Sequence, residues 1–434
     1  MRNLENFFNP KTIAIVGASD HSEKVGGILF RKALKSKCNI IPVNPKHDKL
    51  LGVKCYSKIS EFKESIDLAV IAIPAPFVSA ELEECGRKGI KNVILITAGF
   101  SEIGNISGEK QIFDLAKKYG INLLGSNCFG IFNPNLKLDL TFAATTPKKG
   151  KVALISQSGA LWSYVSDFSA GLKGKSSFGF SGFVSLGNMT DLSFSDFIEY
   201  FSKDKATKSI VLYVERLKDG KKFIEICKKT KKKIYAVKAG SSEEGSKAAF
   251  SHTASLATDY EIYRGAFKQA GVVLCNSLLE AFEKASGKKI ALSNKHKEKI
   301  GKKIFILTNA GGAGALLSDY LSAKGFELVS NENFKNPLDI LGTASGSDYF
   351  NNLDKIKNMD FYDSIIVLLT PQSMTEIMKT AEVIANFKRL TGKEIVALFL
   401  GGKSVSKANK ILKEENIPYF NTLEEARISL EPKF

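Results

Sequence analysis

His252 lies in a segment whose composition favours phosphoryl-transfer chemistry. The segment reads Phe250-Ser251-His252-Thr253-Ala254-Ser255-Leu256, so small and hydroxyl-bearing residues surround one of the chain's four histidines. A neutral imidazole attacks phosphorus with one ring nitrogen while a hydrogen bond orients the other. A polar stretch begins at Gly240, and we expect residues 240–255 to form a loop that swings His252 between two positions. The alternative is a surface histidine in an ordinary polar loop.

Two motifs upstream could supply a carboxylate partner for this histidine and a binding site for a phosphoryl group. Glu215 follows the apolar run 210–214, and the carboxyl ends of strands are where doubly wound domains place their chemistry. If Glu215 reaches His252, its carboxylate fixes the tautomer of the imidazole and stabilises the charged ring. The sequence Ser156-Gln157-Ser158-Gly159-Ala160 also follows an apolar run and opens a helix, whose free N–H groups suit a phosphoryl group. The candidate phosphate ligands are therefore Ser156, Ser158 and Gly159.

The N-terminal glycine loop is a candidate site for a phosphorylated ribose. Gly17, Ser19, Lys24 and Val25 lie between the first apolar run and its helix, where backbone N–H groups can approach a phosphate. The spacing differs from the dinucleotide fingerprint, and Lys46 stands where an acidic residue would bind a free ribose. A lysine there favours NADP or coenzyme A. The alternative is that the glycines serve only the turn.

Pro74 and Pro76 extend the same candidate site. They follow the third apolar run and add rigid backbone where a ligand would cross the sheet edge. An NADP-dependent oxidoreductase would be compatible with the first glycine loop and Lys46 alone. That interpretation explains neither the helix start at Ser156 nor the histidine segment.

The elements that must position these residues alternate between strand and helix. Continuous apolar runs separated by amphipathic stretches indicate parallel sheets covered on both faces. The alternation restarts after Pro147-Lys148-Lys149-Gly150 and again after the basic stretch 293–303. We therefore predict an α/β chain with a Rossmann-like domain over residues 1–146. Two flavodoxin-like, doubly wound parallel-sheet domains should follow, over residues 147–292 and 300–434.

The composition is that of a globular protein without a nucleic-acid platform. The formal charge of +17 on 434 residues comes mostly from dispersed lysines, and the lysine runs lack interleaved aromatic residues. The six cysteines fall singly, without the short spacing of a zinc site or a redox dithiol, which indicates reduced thiols. No signal peptide or membrane-length apolar run is recognisable. We expect a cytoplasmic protein that binds neither nucleic acid nor membrane.

The motifs occur together in an order that resembles one protein family. They are Gly17-Ala18-Ser19, Val43-Asn44-Pro45-Lys46, Ile96-Thr97-Ala98-Gly99-Phe100, Gly125-Ser126-Asn127-Cys128-Phe129-Gly130, Ser156-Gln157-Ser158-Gly159-Ala160 and Ser251-His252-Thr253-Ala254-Ser255. The chain resembles the alpha subunits of the NDP-forming acyl-CoA synthetases, which include ADP-forming acetate–CoA ligase and are related to succinyl-CoA ligase. The resemblance extends into the third unit at Asn336-Pro337-Leu338-Asp339. Ser126, where proline is usual, and Ala310, in the third unit's glycine turn, depart from the family pattern.

The resemblance implies roles for these residues and a CoA-binding function for the Rossmann-like domain. His252 would be phosphorylated in turnover, with Glu215 as its partner. Ser158 and Gly159 would lie at the helix end that holds the phosphate, and Ala310 would matter only structurally. The implied CoA site comprises Gly17, Ser19, Lys24, Val25, Lys46, Pro74, Pro76 and Asn127.

The implied reaction converts acyl-CoA, ADP and phosphate reversibly to acid, ATP and CoA through an acyl phosphate and a phosphohistidine. CoA, phosphate and a small carboxylic acid would be the ligands of this chain, which should hold no metal. No nucleotide-grasp segment is recognisable, so ATP, ADP and Mg²⁺ are expected in a beta subunit of a hetero-oligomer. The rival interpretation is a catalytically inactive protein that binds or senses CoA.

Overall fold

The computed structural model describes the backbone of residues 2–253, 260–292 and 296–433, with side chains throughout these ranges except at residues 249–253. The chain forms three successive α/β units, each built on a mainly parallel sheet. The predicted α/β fold class, a Rossmann-like domain followed by two flavodoxin-like domains, is confirmed. The predicted boundaries at residues 146, 292 and 300 stay predictions.

The first unit contains a five-stranded parallel sheet in the order β2-β1-β5-β6-β7. The strands of this sheet are β1 (Thr12–Val16), β2 (Asn39–Val43), β5 (Leu68–Ile71), β6 (Asn92–Leu95) and β7 (Asn122–Gly125). Two short strands, β3 (Lys49–Leu50) and β4 (Val53–Lys54), form a separate antiparallel pair. Its helices are α1 (Glu5–Phe8), α2 (Val25–Ala33), α3 (Val78–Arg87) and α4 (Ile106–Tyr119). Short 3₁₀ turns cover Ile59–Glu61, Ala75–Phe77 and Ser101–Ile103. The apolar runs of the sequence are thus the strands of this sheet.

The second unit has a seven-stranded sheet in the order β14-β13-β12-β10-β11-β8-β9. Its strands are β8 (Ile131–Asn133), β9 (Leu138–Leu140), β10 (Lys149–Ser156), β11 (Phe180–Ser185), β12 (Ser209–Val214), β13 (Lys233–Lys238) and β14 (Val273–Leu274). Its helices are α5 (Gly159–Gly171), α6 (Phe194–Lys203), α7 (Gly220–Lys229), α8 (Glu243–Thr253), α9 (Tyr260–Ala270) and α10 (Leu278–Ser286). Strands β8 and β9 form an antiparallel extension on β11, so residues 131–140 share a sheet with the second unit.

The third unit is built on the order β17-β16-β19-β20-β21, with β18 also paired to β16. Its strands are β15 (Glu298–Ile300), β16 (Lys303–Thr308), β17 (Glu327–Leu328), β18 (Leu338–Asp339), β19 (Ser364–Leu369), β20 (Glu394–Phe399), β21 (Tyr419–Phe420) and β22 (Leu430–Pro432). Its helices are α11 (Gly311–Ser322), α12 (Gly346–Ile356), α13 (Ile377–Thr391), α14 (Ala408–Glu414) and α15 (Leu423–Ser429). The C-terminal strand β22 pairs in parallel with β15 and closes the unit.

Residues 243–253 form helix α8, so the predicted loop over 240–255 was wrong for this part. Ser242 Oγ accepts a hydrogen bond of 2.9 Å from Gly245 N and thereby caps the helix. Glu243 lies in the first turn, where its charge suits the helix dipole, and it pairs with Lys247 at 2.6 Å. Helix α8 also packs along α11 of the third unit. Capping and packing therefore outweigh the glycine and serine content of this stretch, while residues 254–259 lie outside the described ranges.

Buried side chains join the units to one another. One apolar cluster runs from the first unit into the second, and another runs from the second into the third. All six cysteines are free. Among the helices of the described ranges, none is both long and apolar enough to cross a membrane. Within the described ranges as a whole, no group of three or more His, Cys, Asp or Glu side chains is placed to hold a metal ion.

Candidate functional site

The start of helix α5 lies at the carboxyl edge of the second sheet, where strand β10 ends. Ser156, Gln157 and Ser158 are buried there, and Ser158 is 1% exposed. Gln157 Oε1 accepts hydrogen bonds from the backbone N–H groups of Glu215 at 2.6 Å and Arg216 at 2.9 Å. This side chain ties the end of β10 to the end of β12. The structure therefore brings the predicted phosphate ligands next to the predicted carboxylate.

Glu215 occupies a buried, charged environment. It is 5% exposed. Burial, followed by the charge of Glu215, raises the pKa of the Tyr213 hydroxyl well above its usual range. Lys238 is buried at the end of β13, and its Nζ lies 4.5 Å from the centre of the Tyr263 ring. Burial lowers the pKa of the Lys238 ammonium, while the charges of Glu215 and Asp319 oppose that change. Lys238 thus places one positive charge near the two buried carboxylates, a role that we did not predict from sequence.

The third unit packs against Ser158 and Glu215 through the start of α11. A methyl group at Gly312 would lie 2.7 Å from both Cβ and Oγ of Ser158 and 3.0 Å from Glu215 Oε1. Tyr213 donates a hydrogen bond of 3.0 Å to the Gly312 carbonyl oxygen. The N-terminal end of α11 therefore meets that of α5, and both helix dipoles present positive ends to one region. The expectation that Ala310 matters only structurally stays a prediction. Gly312, two residues further along the same turn, was not predicted as a site residue, and its contact with Ser158 adds it to the candidate site.

Helix α8 crosses between the third and first units. It packs on α11 and also lies beside the turn Ser101–Ile103 of the first unit. The backbone of His252 falls near the C-terminal end of α8. The His252 side chain lies outside the described residues, so its predicted pairing with Glu215 stays a prediction.

The candidate CoA loop lies at the carboxyl edge of the first sheet. Gly17 has φ +86°, and a methyl group there would lie 2.4 Å from the Ala72 carbonyl oxygen, so the turn after β1 requires glycine. Ser19 Oγ accepts a hydrogen bond from His21 N at 3.1 Å. Asn44 joins the two parts of the site, because its Nδ2 donates to Ala18 O at 2.8 Å and its Oδ1 accepts from Lys46 N at 2.9 Å.

The remaining predicted CoA residues are distributed around this loop. Lys24 is exposed as the N-cap residue of α2, and Val25 begins that helix. Lys46 is exposed as well. Pro74 and Pro76 are exposed at the 3₁₀ turn that follows β5.

Asn127 lies apart from the loop, at the boundary with the second unit. Its Nδ2 donates to Asn188 Oδ1 at 3.3 Å. Asn188 Nδ2 in turn donates to Glu102 Oε2 at 2.6 Å and Glu109 Oε2 at 2.9 Å. Arg216, next to the buried Glu215, donates to the Asn188 carbonyl oxygen at 2.8 Å. This polar cluster connects the first unit to the phosphate side of the second, and only Asn127 of its members was predicted.

Comparisons with known proteins agree with this geometry. A family model described as the CoA binding domain matches residues 11–134, and one described as the succinyl-CoA ligase like flavodoxin domain matches residues 149–286. The chain is 39% identical to the acetate–CoA ligase [ADP-forming] II subunit alpha of Pyrococcus furiosus, over 97% of this chain and 95% of that relative. The chain belongs to the NDP-forming acyl-CoA synthetase family. The resemblance seen in the sequence is thereby confirmed over the CoA-sensing and oxidoreductase alternatives.

Two further members of the family show its extent. Acetate–CoA ligase [ADP-forming] I of Archaeoglobus fulgidus is 37% identical over 96% of this chain, which spans only 61% of that relative's length. A solved structure of the dinucleotide forming acetyl-coenzyme A synthetase 1 of Candidatus Korarchaeum cryptofilum, in complex with phosphate and ADP, is 33% identical. Its TM-score is 0.63, and the match covers 99% of this chain and 96% of that one.

Proposed function

We propose that this chain is the alpha subunit of an ADP-forming acyl-CoA synthetase that works reversibly through an acyl phosphate and a phosphohistidine. The observation that carries the proposal is the meeting of Ser158, Glu215 and Gly312 at the joined starts of helices α5 and α11. The end-to-end similarity to an ADP-forming acetate–CoA ligase alpha subunit supports the same activity. The acid is a small carboxylic acid whose identity the site does not specify.

The first unit binds CoA in this proposal. Lys46 faces the 3′-phosphate, and the loop that holds Gly17 and Ser19 approaches the diphosphate with its backbone N–H groups. Lys24, Val25, Pro74 and Pro76 line the edge over which the nucleotide crosses. Asn127, at the boundary with the second unit, lies toward the thioester end of the substrate.

The second and third units carry the phosphoryl chemistry. A phosphate oxygen attacks the thioester carbon, the C–S bond breaks, and CoA leaves as a thiolate that takes up a proton. An imidazole nitrogen of His252 then attacks phosphorus, the bond to the acyl oxygen breaks, and the carboxylate leaves. Glu215 holds the imidazole in one tautomer and stabilises its positive charge. Ser156, Ser158 and Gly159 at α5, with the start of α11, stabilise the phosphoryl oxygens.

ADP receives the phosphoryl group on another subunit. We propose that a nucleotide-grasp beta subunit holds ADP and Mg²⁺, so that the working enzyme is a hetero-oligomer. The name of the Pyrococcus furiosus relative, a subunit alpha, and the greater length of the Archaeoglobus fulgidus relative support this division. Six free cysteines support a reducing compartment such as the cytoplasm.

ATP synthesis from acetyl-CoA, ADP and phosphate tests the proposal. The full chain, co-purified with a nucleotide-grasp subunit from the same genome, should make ATP, and the chain alone should bind CoA but make none. The variant His252→Ala should lose synthesis and keep CoA binding, while His296→Ala, a histidine distant in sequence, should keep both. ATP made by the chain alone, or by the complex with His252→Ala, would contradict the proposal.

A further inference from the structure

Asp319 lies on helix α11 of the third unit, but its carboxylate holds a turn of the second unit. Its Oδ2 accepts a hydrogen bond from Gly240 N at 2.8 Å. Its Oδ1 accepts from Ser242 N at 2.7 Å and from Ser242 Oγ at 2.8 Å. Asp319 is 4% exposed, so these bonds are shielded from water. The turn so held comes directly before helix α8, which carries His252.

The first turn of α8 is built to fit against this carboxylate. Ser242 Oγ caps the helix by accepting from Gly245 N while it donates to Asp319, so one hydroxyl serves both contacts. A methyl group at Gly245 would lie 2.0 Å from Asp319 Oδ1. Any side chain at Gly245 would therefore displace the Asp319 carboxylate. The cap, the glycine and the carboxylate form one anchor for the start of the helix.

The second unit makes the same contact toward the third unit. Asp167 on α5 is buried and accepts hydrogen bonds from Gly402 N at 2.8 Å and from Ser404 Oγ at 2.7 Å. Asp167 and Asp319 each lie nine residues after the N-cap residue of their helix, and the turns that they hold follow the corresponding strands β20 and β13. The Asp167 and Asp319 contacts thus occupy equivalent positions in the second and third units and run in opposite directions between them. The segment 401–414 after the Asp167 contact contains no histidine, so only the Asp319 contact anchors a histidine-bearing helix.

We propose that Asp319 is a positioning residue for His252, with the third unit serving as the fixed support of the phosphorylated helix. This inference rests on the proposed function. In this proposal Asp319 acts through helix α8 and not on the substrate. It fixes the N-terminal end of α8, so that His252 moves about this anchor between the acyl phosphate, which donates the phosphoryl group, and ADP, which accepts it.

Because α8 is long, a small change of its angle at the anchor displaces His252 substantially. His252 lies about 15 Å along the helix axis from Ser242, given a rise of about 1.5 Å per residue. A tilt of about 10° at the anchor therefore moves His252 by about 2.5 Å. Displacements of about 1 Å at a reacting group can slow a reaction about a hundredfold. Loss of the anchor should thus slow phosphorylation of His252 much more than it weakens CoA binding.

The test compares Asp319→Asn with Asp167→Asn in the complex with the beta subunit. Asparagine keeps the shape of the side chain but turns an N–H group toward one of the donors. We measure the rate of labelling of His252 from acetyl-CoA and [³²P]phosphate, with kcat, KM and calorimetric CoA binding. The rate in Asp319→Asn should fall at least about tenfold with unchanged CoA affinity, since each hydrogen bond to a charged group contributes more than that factor requires. Asp167→Asn should change the rate less than about threefold at an equal folded fraction.

Ser242→Ala provides a second, milder variant. It removes one donor and the cap but leaves both backbone donors, so it should slow labelling less than Asp319→Asn does. The double variant should be no slower than Asp319→Asn alone, because both changes break one anchor. Additive effects, equal effects of Asp319→Asn and Asp167→Asn, or wild-type rates in Asp319→Asn would overturn the proposal. Failure of the wild-type complex to label His252 would instead reject the proposed function.

Discussion

Substitution of Gly312 by alanine tests whether the third unit presses against the phosphate side of the site. The added methyl group would lie 2.7 Å from Cβ and Oγ of Ser158. Carbon atoms in contact prefer separations of about 3.5–4.0 Å, so the two helix starts must move apart by about 1 Å. Ser158 is the N-cap residue of α5, and rotation of its side chain leaves Cβ in place, so it cannot relieve the overlap.

Two opposing effects determine how much Gly312→Ala changes the free energy of unfolding. Overpacking in a close-packed region costs about 1–3 kcal/mol of the free energy of unfolding. Replacement of a helical glycine by alanine returns up to about 1 kcal/mol through backbone propensity. We expect Gly312→Ala to lose up to about 2 kcal/mol of stability. Because Ser158 and Glu215 must both shift, kcat should fall at least about tenfold while CoA affinity stays unchanged.

Gly265→Ala is the matched control. Gly265 lies in helix α9, and a methyl group there would meet nothing within 4 Å. This variant should gain about 0.5–1 kcal/mol and keep full activity. Urea denaturation gives both stabilities, and steady-state kinetics with calorimetry separates kcat from CoA binding. A Gly312→Ala protein that is as stable and active as Gly265→Ala would refute the close contact between α5 and α11.

Three other variants test separate parts of the structure. Burial, aided by the charge of Glu84, raises the pKa of Glu81 to about 7. The folded chain therefore keeps a proton that the unfolded chain has released, and stability falls as pH rises from the ordinary value toward 7. Glu81→Gln should remove this fall. In urea denaturation, the free energy of unfolding of the variant relative to that of the wild type should therefore rise by on the order of 1–3 kcal/mol between pH 4 and pH 8. Asp139 is buried and pairs with Lys32 at 2.9 Å, so Asp139→Ala should lose about 3 kcal/mol of stability in the same assay. The exposed Lys110–Asp114 pair is its control, and Asp114→Ala should change stability by less than about 0.5 kcal/mol. Lys46→Ala should weaken CoA binding about tenfold in calorimetry and leave binding of dephospho-CoA unchanged. Equal losses for both ligands would contradict the role assigned to Lys46.

The units and their strands could be predicted because their signals are local. Runs such as Ser209–Val214 and Ser364–Leu369 are fully buried, as continuous apolar strands of a parallel sheet must be. The glycine turn after β1 could be recognised for the same reason, since Gly17 needs both a positive φ and the absence of a side chain. Family resemblance then supplied roles that spacing alone left open.

The parts that sequence reasoning missed depend on partners distant in the chain. Strand β22 pairs with β15 across more than a hundred residues, and a three-residue polar strand carries no pattern of its own. Residues 243–253 read as a loop because glycine, serine and charge dominate them, whereas the cap at Ser242 and packing on α11 make them a helix. The contact between Gly312 and Ser158 joins two units, so no periodicity within either unit could predict it.

The most direct measurement of the central claim is the phosphorylation state of His252 during the first half of the reaction. The complex is incubated with acetyl-CoA and [³²P]phosphate without nucleotide, and the modified residue is identified by mass spectrometry under alkaline conditions. We predict an acid-labile, base-stable label on His252, formed together with free CoA and acetate and absent from His252→Ala. The absence of label on His252 in the wild-type complex, or its persistence in His252→Ala, would contradict the claim.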